Sequence, residues 1–268
     1  ASDVYKRQSQ IISPIDKEIF HDIQSVTSLK SITRARNWNV LDEKIIRAYV
    51  HATAALVKVP RDIKVVYTAM HGVGTETLRS VFHAAGFAEP ILVSVQSDPD
   101  PDFPTTPFPN PEEPGAIDLA LETARSFNAD IVIANDPDAD RCAVAINDGQ
   151  WRMLRGDEVG AILGEYIARK NAQGVFANSI VSSSLLSKIA HRYGLKFAET
   201  LTGFKYLSKI PNLTFGYEEA LGYCVDSHSV NDKDGISAGL KIVEIAAELK
   251  SQGSSLSEFL SEIWATYG

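Results

Sequence analysis

The chain has 268 residues, of which 44% are hydrophobic and 22% are charged, and its formal net charge is −8. This length and composition are typical of a globular protein with one large or two medium domains. The acidic balance, without a long basic block, argues against a nucleic-acid partner or an anionic membrane partner. The sequence also has no apolar run of about 18 residues, so we expect no membrane span. The two cysteines, Cys142 and Cys224, have neither zinc-site spacing nor the pattern of a disulfide framework, so a reducing cytoplasmic location is expected.

The first 40 residues fit an α/β pattern poorly. The opening stretch "ASDVYKRQSQ" has no apolar core of a secretion signal and is predicted to be a frayed end. The following stretch, "IISPIDKEIFHDIQSV", looks like the end of a preceding domain. We therefore assign residues 1–40 to the remnant of a first domain and a linker.

Residues 41–154 alternate between helical and strand patterns. Helical spacing of apolar residues occurs in "NVLDEKIIRAYVHATAALV", "TETLRSVFHAAG" and "AIDLALETARSF". Buried strands are predicted for "IKVVYTAM", "ILVSV" and "DIVIAN", and a hairpin for "CAVAI" and "WRML" around "NDG". Residues 99–114 hold seven of the twelve prolines, which predicts an extended connection.

Residues 155–268 repeat the alternation. Helices are predicted for "GDEVGAILGEYIARK", "SSSLLSKIAHRYG", "GFKYLSKI" and "DGISAGLKIVEIAAELK". Strands are predicted for "GVFANSIV", "LKFAETL" and both ends of "LTFGYEEALGYCV". Alternating strands and helices indicate a mainly parallel sheet between helical layers. The sequence therefore predicts an α/β protein with two consecutive α/β/α sandwich domains, each with a mixed, mostly parallel sheet.

Three aspartates are crowded into the stretch "NDPDADRCAVAI" (135–146), directly after a predicted strand. Asp136, Asp138 and Asp140 stand at alternate positions where ligands usually bind in α/β sheets, at the carboxyl end of a strand. Neighbouring carboxylates repel one another, and a bound cation would relieve that repulsion. Carboxylate oxygens favour Mg²⁺ or Ca²⁺ over zinc, and Arg141 could clamp a phosphate oxygen.

This stretch also allows interpretations other than a metal site. A solvated acidic turn is the simplest alternative. An EF-hand loop beginning at Asp136 would need Gly and Glu where Arg141 and Asn147 stand. A haloacid-dehalogenase phosphatase motif would need Thr or Val at its fifth place, which is Asp140. Neither of these two motifs fits.

The segment "DPDADR" resembles the metal-binding loop of the α-D-phosphohexomutase superfamily, usually Asp-Gly-Asp-x-Asp-Arg. Pro137 in place of the glycine resembles the branch that contains phosphopentomutase and glucose-1,6-bisphosphate synthase, along with bacterial phospho-sugar mutases. Five further stretches agree with the family in the right order: "TAMHGVG" (68–74), "DPDPDFPTTPFPNPEEP" (98–114), "TLTGFKYL" (200–207), "GYEEALGY" (216–223) and "NDKDG" (231–235).

The resemblance implies a reversible phosphate transfer between C1 and C5 or C6 of a pentose or hexose phosphate. In this family a phosphoserine donates to the sugar phosphate, and a bisphosphate intermediate returns its other phosphate. The three aspartates, Asp136, Asp138 and Asp140, would hold Mg²⁺. Arg141 would contact the phosphoryl group, and Lys233 would act as a proton shuttle or phosphate ligand.

The resemblance also implies which residues meet the substrate. Glu218 in "YEEA" would bind sugar hydroxyls, and the further candidates are Glu219, Thr202, Gly203 and His228. Ala220 stands where hexose mutases carry serine, which favours a pentose or a different register. The role of His71 stays open, between a cleft residue and a structural one.

Two parts of the family pattern do not occur in this sequence: the phosphoserine loop, typically Thr-Ala-Ser-His-Asn-Pro, and the phosphate loop Arg-x-Ser-Gly-Thr-Glu-Pro. The chain would therefore be the central part of a mutase, with a metal-binding domain (41–154) and a sugar-recognition domain (155–268). Its partners would be the sugar phosphate and the N- and C-terminal domains of the same parent chain, and alone it would be inactive. The alternatives are a non-catalytic module that binds Mg²⁺ and a sugar phosphate, and a Mg²⁺-dependent phosphatase, for which the sequence supplies no obvious general base.

Overall fold

The computed structural model describes residues 10–58, 62–170 and 173–268. Its strands are β1 (Val65–Thr68), β2 (Ile91–Leu92), β3 (Ile131–Ala134), β4 (Ala143–Asn147), β5 (Trp151–Met153), β6 (Val175–Ser179), β7 (Lys196–Thr200), β8 (Leu213–Glu218) and β9 (Gly222–Cys224). Its helices are α1 (Ile15–Ser25), α2 (Lys44–Ala54), α3 (Gly74–Ala85), α4 (Asp118–Phe127), α5 (Gly156–Arg169), α6 (Leu185–Arg192), α7 (Phe204–Leu207), α8 (Gly235–Ser251) and α9 (Leu256–Tyr267). None of these helices has both the length and the apolar character that a membrane crossing requires.

The first sheet has the strand order β2-β1-β3-β4-β5. Strand β1 pairs in parallel with β2 and β3, and β4 and β5 continue the sheet in antiparallel fashion. All residues of β1 and β3 are buried, as expected for central strands covered on both faces. Their carboxyl ends therefore lie at one edge of the sheet, where the acidic loop begins.

The second sheet has the order β7-β6-β8-β9. Strand β6 pairs in parallel with β7 and β8, and β9 pairs antiparallel with β8. The first sheet thus has two parallel and two antiparallel strand pairings, and the second has two parallel pairings and one antiparallel pairing. The predicted α/β class with two mixed sheets is confirmed.

Several elements differ in extent from the sequence prediction. The strand expected at 91–95 is only Ile91–Leu92, because the chain turns into a short 3₁₀ helix at Ser94–Gln96. Helix α9 was not predicted, although its start has a signal. Ser255 accepts the Glu258 backbone N–H at 3.2 Å, and the Glu258 carboxylate accepts the Ser255 backbone N–H at 3.0 Å. This is the capping box of a helix N-terminus.

A large hydrophobic core connects the two sheets, and a smaller cluster around Phe204 and Leu207 lies apart from it. Helix α8 follows the second sheet in the chain, yet it packs on the first sheet as well. A Cβ added at Gly239 would lie 3.1 Å from Ile133 Cγ2 and 3.5 Å from Cys142 Sγ. The helix therefore lies close to β3 and its loop, and it fixes one half of the molecule against the other.

The segment before β1 is much less buried. Helix α1 has no buried residue, and large apolar side chains such as Phe20, Leu29 and Trp38 are exposed. Helix α2 buries only Val50, Thr53 and Ala54. The predicted frayed end at residues 1–10 lies, except for Gln10, outside the described residues.

Candidate functional site

The three aspartates lie in the loop that follows β3, and the structure brings their carboxylates together. One ligand oxygen from each of Asp136, Asp138 and Asp140 lies within 4.8 Å of the other two. Asp136 is buried, Asp138 is exposed and Asp140 is intermediate. The loop thus presents three hard oxygen donors that a small divalent cation could bridge from the solvent side.

Buried hydrogen bonds close this loop at its base. Asn135 is fully buried; its Oδ1 accepts the Tyr67 hydroxyl at 2.9 Å, and its Nδ2 donates to the Arg141 carbonyl at 2.5 Å. The Arg141 backbone N–H donates to Asp136 Oδ1 at 3.0 Å. The two ends of the loop are therefore tied together, and one oxygen of Asp136 is oriented by the backbone.

A second turn, between β1 and α3, packs against Pro137 of the acidic loop. Val73 N donates to the Pro137 carbonyl at 2.9 Å. A Cβ added at Gly72 would lie 2.3 Å from Pro137 Cα, so only glycine allows this approach. The segment "HGVG" thus packs directly against the acidic loop and is hydrogen-bonded to it.

His71 belongs to this turn but points its ring toward the proline-rich segment. Its Nε2 lies 2.8 Å from Thr105 Oγ1, and Gln96 Nε2 donates to the same hydroxyl at 2.9 Å. The His71 ring also packs edge-on against Phe103. Through these contacts His71 holds the proline-rich segment, residues 99–114, against the turn after β1.

The electrostatics of the loop favour a cation. Burial raises the pKa of Asp136 to about 6, and the neighbouring charges of Asp140 and Asp138 add to the increase. The Arg141 backbone N–H and guanidinium oppose it. A carboxylate that is costly to ionise among two others is stabilised by a bound positive charge, so this donor set fits a divalent metal.

Lys233 supplies a positive charge to the same loop. Its Nζ forms an ion pair with Asp140 Oδ2, and the side chains are 20% and 29% exposed. Burial raises the pKa of Glu218, while the Gly203 N–H and the charge of Lys233 oppose that increase. A Cβ added at Gly222, which pairs with Glu218, would lie 3.0 Å from Lys233 Cδ, so Lys233 is close both to the acidic loop and to the end of β8.

The two glutamates of "YEEA" have different surroundings. Glu218 is buried and its Oε1 accepts the backbone N–H of Gly203. Glu219 Oε2 accepts the hydroxyls of Ser179 at 3.0 Å and Ser182 at 2.9 Å. Gly203 is thus hydrogen-bonded to Glu218, whereas the carboxylate of Glu219 is hydrogen-bonded to two serines.

The remaining predicted residues are less closely engaged. Thr202 is exposed beside Gly203, which begins the short helix α7. His228 is exposed in the loop between β9 and α8, and the structure does not bring it into hydrogen-bonded contact with the other predicted residues.

Backbone contacts hold the acidic loop against the second half of the chain. Cys142 N donates to the Leu221 carbonyl at 3.0 Å, and Arg141 forms an isolated bridge with Gly222. Gly235 N donates to the Ala139 carbonyl at 3.0 Å, and a Cβ at Gly235 would lie 2.1 Å from the Arg141 carbonyl oxygen. The acidic loop, the 217–220 loop and the 231–235 loop therefore lie in contact with one another.

Two important residues of this region were missed in the sequence. Asp234 is buried; it caps α8 by accepting from Ile236 N at 3.0 Å and Ser237 N at 3.3 Å, and its carboxylate also accepts the Tyr49 hydroxyl. An Asp directly before a predicted helix was a usable signal for a cap. Tyr49 is 185 residues away, and nothing in the sequence pairs it with Asp234.

Two consecutive α/β/α units, with a three-aspartate loop held in contact with both, define the class of this fold. Family comparison gives the class a name. Residues 47–149 match phosphoglucomutase/phosphomannomutase α/β/α domain II, and residues 155–267 match domain III. The chain belongs to the phosphoglucomutase/phosphomannomutase family.

Curated relatives agree with this assignment. The chain is 47% identical over 266 residues to a protein of Haemophilus influenzae named "Probable phosphomannomutase", a match that covers 97% of this chain and 55% of the relative. It is 37% identical over 298 residues to human phosphopentomutase, covering 97% of this chain and 48% of that protein. The chain thus spans about half the length of these relatives.

Solved structures show the same fold. A phosphoglucomutase/phosphomannomutase family protein from Burkholderia thailandensis superimposes with a TM-score of 0.68 at 20% identity, covering 82% of this chain and 46% of that one. The phosphoglucomutase parafusin from Paramecium gives a TM-score of 0.66 at 23% identity, covering 88% and 44%.

Proposed function

We propose that this chain provides the metal-binding domain (41–154) and the sugar-recognition domain (155–268) of a Mg²⁺-dependent phospho-sugar mutase. The observation that carries the proposal is the proximity of three groups: the carboxylates of the acidic loop, the ammonium of Lys233, and the buried carboxylate of Glu218. Lys233 is ion-paired with Asp140, and Gly222 pairs with both Arg141 and Glu218. A phosphate and the hydroxyls of its sugar need these kinds of partner side by side.

Each group has a distinct part in this proposal. Asp136, Asp138 and Asp140 would hold Mg²⁺, which neutralises charge on a phosphoryl group in transfer reactions. Arg141 lies beside them, with its Nε 3.5 Å from Asp136 Oδ2, and would orient a phosphoryl oxygen. Lys233 would contact the phosphate or carry a proton.

Sugar recognition is assigned to the loops around Glu218. Its carboxylate would accept sugar hydroxyls, and Gly203 and Thr202 would line the same side of the cleft. Glu219 and His228 are assigned to the edge of this region. Ala220 is exposed and has no hydroxyl, which supports a pentose phosphate over a hexose phosphate as the preferred substrate.

The chain by itself is proposed to be inactive in phosphate transfer. Transfer through a phosphoenzyme needs an activated nucleophile in line with the phosphate. The Ser-His-Asn-Pro segment that supplies it in this family does not occur in residues 1–268. The second candidate function, a non-catalytic module that binds Mg²⁺ and a sugar phosphate, is favoured by the same observation.

The test compares residues 1–268 with the longer protein encoded by the extended reading frame. Each is incubated with Mg²⁺, ribose 1-phosphate or glucose 1-phosphate, and the matching bisphosphate, and formation of the 5- or 6-phosphate is followed. We expect the longer protein to turn over and residues 1–268 to be inactive. The Asp138→Ala variant of the longer protein should have lost its turnover. The control variant is Asp62→Asn, an exposed aspartate that precedes β1 at the opposite edge of the sheet.

Two results would contradict the proposal. Turnover by residues 1–268 that Asp138→Ala abolishes would mean that another group replaces the serine. Absence of turnover in the longer protein, together with binding of ribose 1-phosphate by residues 1–268, would favour the binding module.

A further inference from the structure

A group of serines at the carboxyl end of β6 is joined to the 217–220 loop. Ser179 and Ser182 both donate to Glu219 Oε2, at 3.0 and 2.9 Å. The backbone N–H of Glu219 donates in return to Ser182 Oγ at 3.1 Å. Two residues that are about forty positions away in sequence thus hold both the side chain and the backbone of Glu219.

Each serine hydroxyl has one hydrogen, and this limits which hydrogen bonds the group can form at the same time. A serine hydroxyl has one hydrogen to donate and two lone pairs. Ser182 can donate to Glu219 Oε2 while accepting the Glu219 N–H, and it also lies 2.7 Å from Ser179 Oγ. Ser179 then donates to either partner. Glu219 Oε2, the Glu219 backbone N–H and both serine hydroxyls therefore each have a partner within this group.

A second set of contacts fixes the same loop to the start of α5. A Cβ added at Gly156 would lie 1.7 Å from the Glu219 carbonyl oxygen, so the loop backbone rests directly on the helix. Asp157 Oδ1 accepts the Ser183 backbone N–H at 2.7 Å and the Tyr217 hydroxyl at 2.8 Å. The serine segment, the start of α5 and the end of β8 are therefore joined into one hydrogen-bonded unit.

This unit determines where Glu218 can be. Glu218 is the last residue of β8 and is adjacent to Glu219, so holding the backbone N–H and the side chain of Glu219 constrains the backbone from which the Glu218 side chain projects. Glu218 Oε1 accepts the backbone N–H of Gly203. Because Ala220 has no hydroxyl, the placement of Glu218 carries more of the sugar contact.

We propose that Ser179 and Ser182 are positioning residues for sugar recognition, which act through Glu219 to place Glu218 toward the substrate. Glu219 is then a structural anchor of the loop and not itself a sugar ligand. This inference rests on the proposed mutase function.

The first measurement uses residues 1–268 and needs no activity. Hydrogen exchange of the Glu219 amide is compared in the wild type, Ser182→Ala, Ser182→Thr and Ser187→Ala. Ser187 is a half-buried serine of α6 whose hydroxyl donates to the Ser184 carbonyl at 2.7 Å, away from Glu219. We expect about ten-fold faster exchange in Ser182→Ala, because the acceptor of that amide is removed. The threonine variant keeps a hydroxyl and should restore slow exchange, and the control should match the wild type.

The second measurement uses the longer protein and separates KM from kcat. The double variant Ser179→Ala/Ser182→Ala should raise KM for ribose 1-phosphate about ten-fold, with a smaller change in kcat, because ground-state sugar contacts are lost. Unchanged exchange of the Glu219 amide would overturn the anchoring role. Faster exchange with an unchanged KM would overturn the role in sugar recognition and leave the mutase proposal intact. A wild-type protein without turnover would overturn the mutase function itself and with it the role in sugar recognition, while the exchange measurement would still decide whether the serines hold the loop.

Discussion

Replacing Asp136 by asparagine should stabilise the protein in the absence of metal and remove its response to Mg²⁺. Burial and the nearby Asp140 and Asp138 raise the pKa of Asp136 from 3.8 to about 6. Between these pH values the folded carboxyl keeps its proton while the unfolded one has lost it. The free energy of unfolding therefore falls as the pH rises from about 4 to 6, and the penalty is fully present at pH 7.

The size of this effect follows from the difference in pKa. A difference of about 2 units, at about 1.36 kcal/mol per unit, gives an upper limit of about 3 kcal/mol. Asparagine keeps an oxygen that can accept the Arg141 backbone N–H, now 3.0 Å from Asp136 Oδ1. It loses the 3.5 Å approach of Arg141 Nε to Asp136 Oδ2, and solvent screens part of the repulsion. We expect a net gain of about 1–2 kcal/mol at pH 7.

The assay is urea unfolding of the wild type and Asp136→Asn at several pH values between 5 and 7.5, with EDTA and then with excess Mg²⁺. Burial also raises the pKa of Glu218 and Asp234, so the wild type alone would not isolate Asp136. The difference between the two proteins does, because those groups are common to both. The gain of the variant should grow with pH in EDTA and vanish in Mg²⁺.

Two results would refute this reasoning. A variant that is less stable than the wild type at pH 7 in EDTA would show that the Asp136 carboxylate is already stabilised without metal. A difference that does not change between pH 5 and 7 would show that Asp136 titrates at its ordinary value.

Three further expectations follow from the geometry. Asp138→Asn should abolish the rise in melting temperature that Mg²⁺ causes. Because Asp138 is exposed, the melting temperature in EDTA should change by no more than about 2 °C. An unchanged response to Mg²⁺ would mean that the loop is an acidic turn without a metal site. Gly235→Ala should lower the free energy of unfolding by about 2 kcal/mol or more, because its Cβ would overlap the Arg141 carbonyl, whereas Gly216→Ala, whose Cβ meets no atom closer than 3.4 Å, should cost less. Asp234→Ala should destabilise by about 2 kcal/mol or more in chemical unfolding, because two helix N–H groups and the Tyr49 hydroxyl lose their acceptor; equal stability would contradict the assigned cap.

Much of this protein could be predicted locally. The period-2 and period-3.6 patterns placed most strands and helices, because burial of one face imposes those periods on neighbouring residues. The cluster Asp136, Asp138 and Asp140 was visible because its members stand within five positions after an apolar strand. The strand at 91–95 was overestimated, since an apolar run does not reveal where the chain turns.

The tertiary structure alone decided which distant groups meet. Nothing in the sequence distinguishes Glu218 from Glu219. In the folded chain Glu218 accepts the Gly203 N–H, and Glu219 accepts the hydroxyls of Ser179 and Ser182. The fold also joins Tyr49 to Asp234 across 185 residues. Local patterns record which face of an element is buried, but not which element covers it. That choice depends on how α8 and the two sheets pack around one shared core, which is a property of the whole chain.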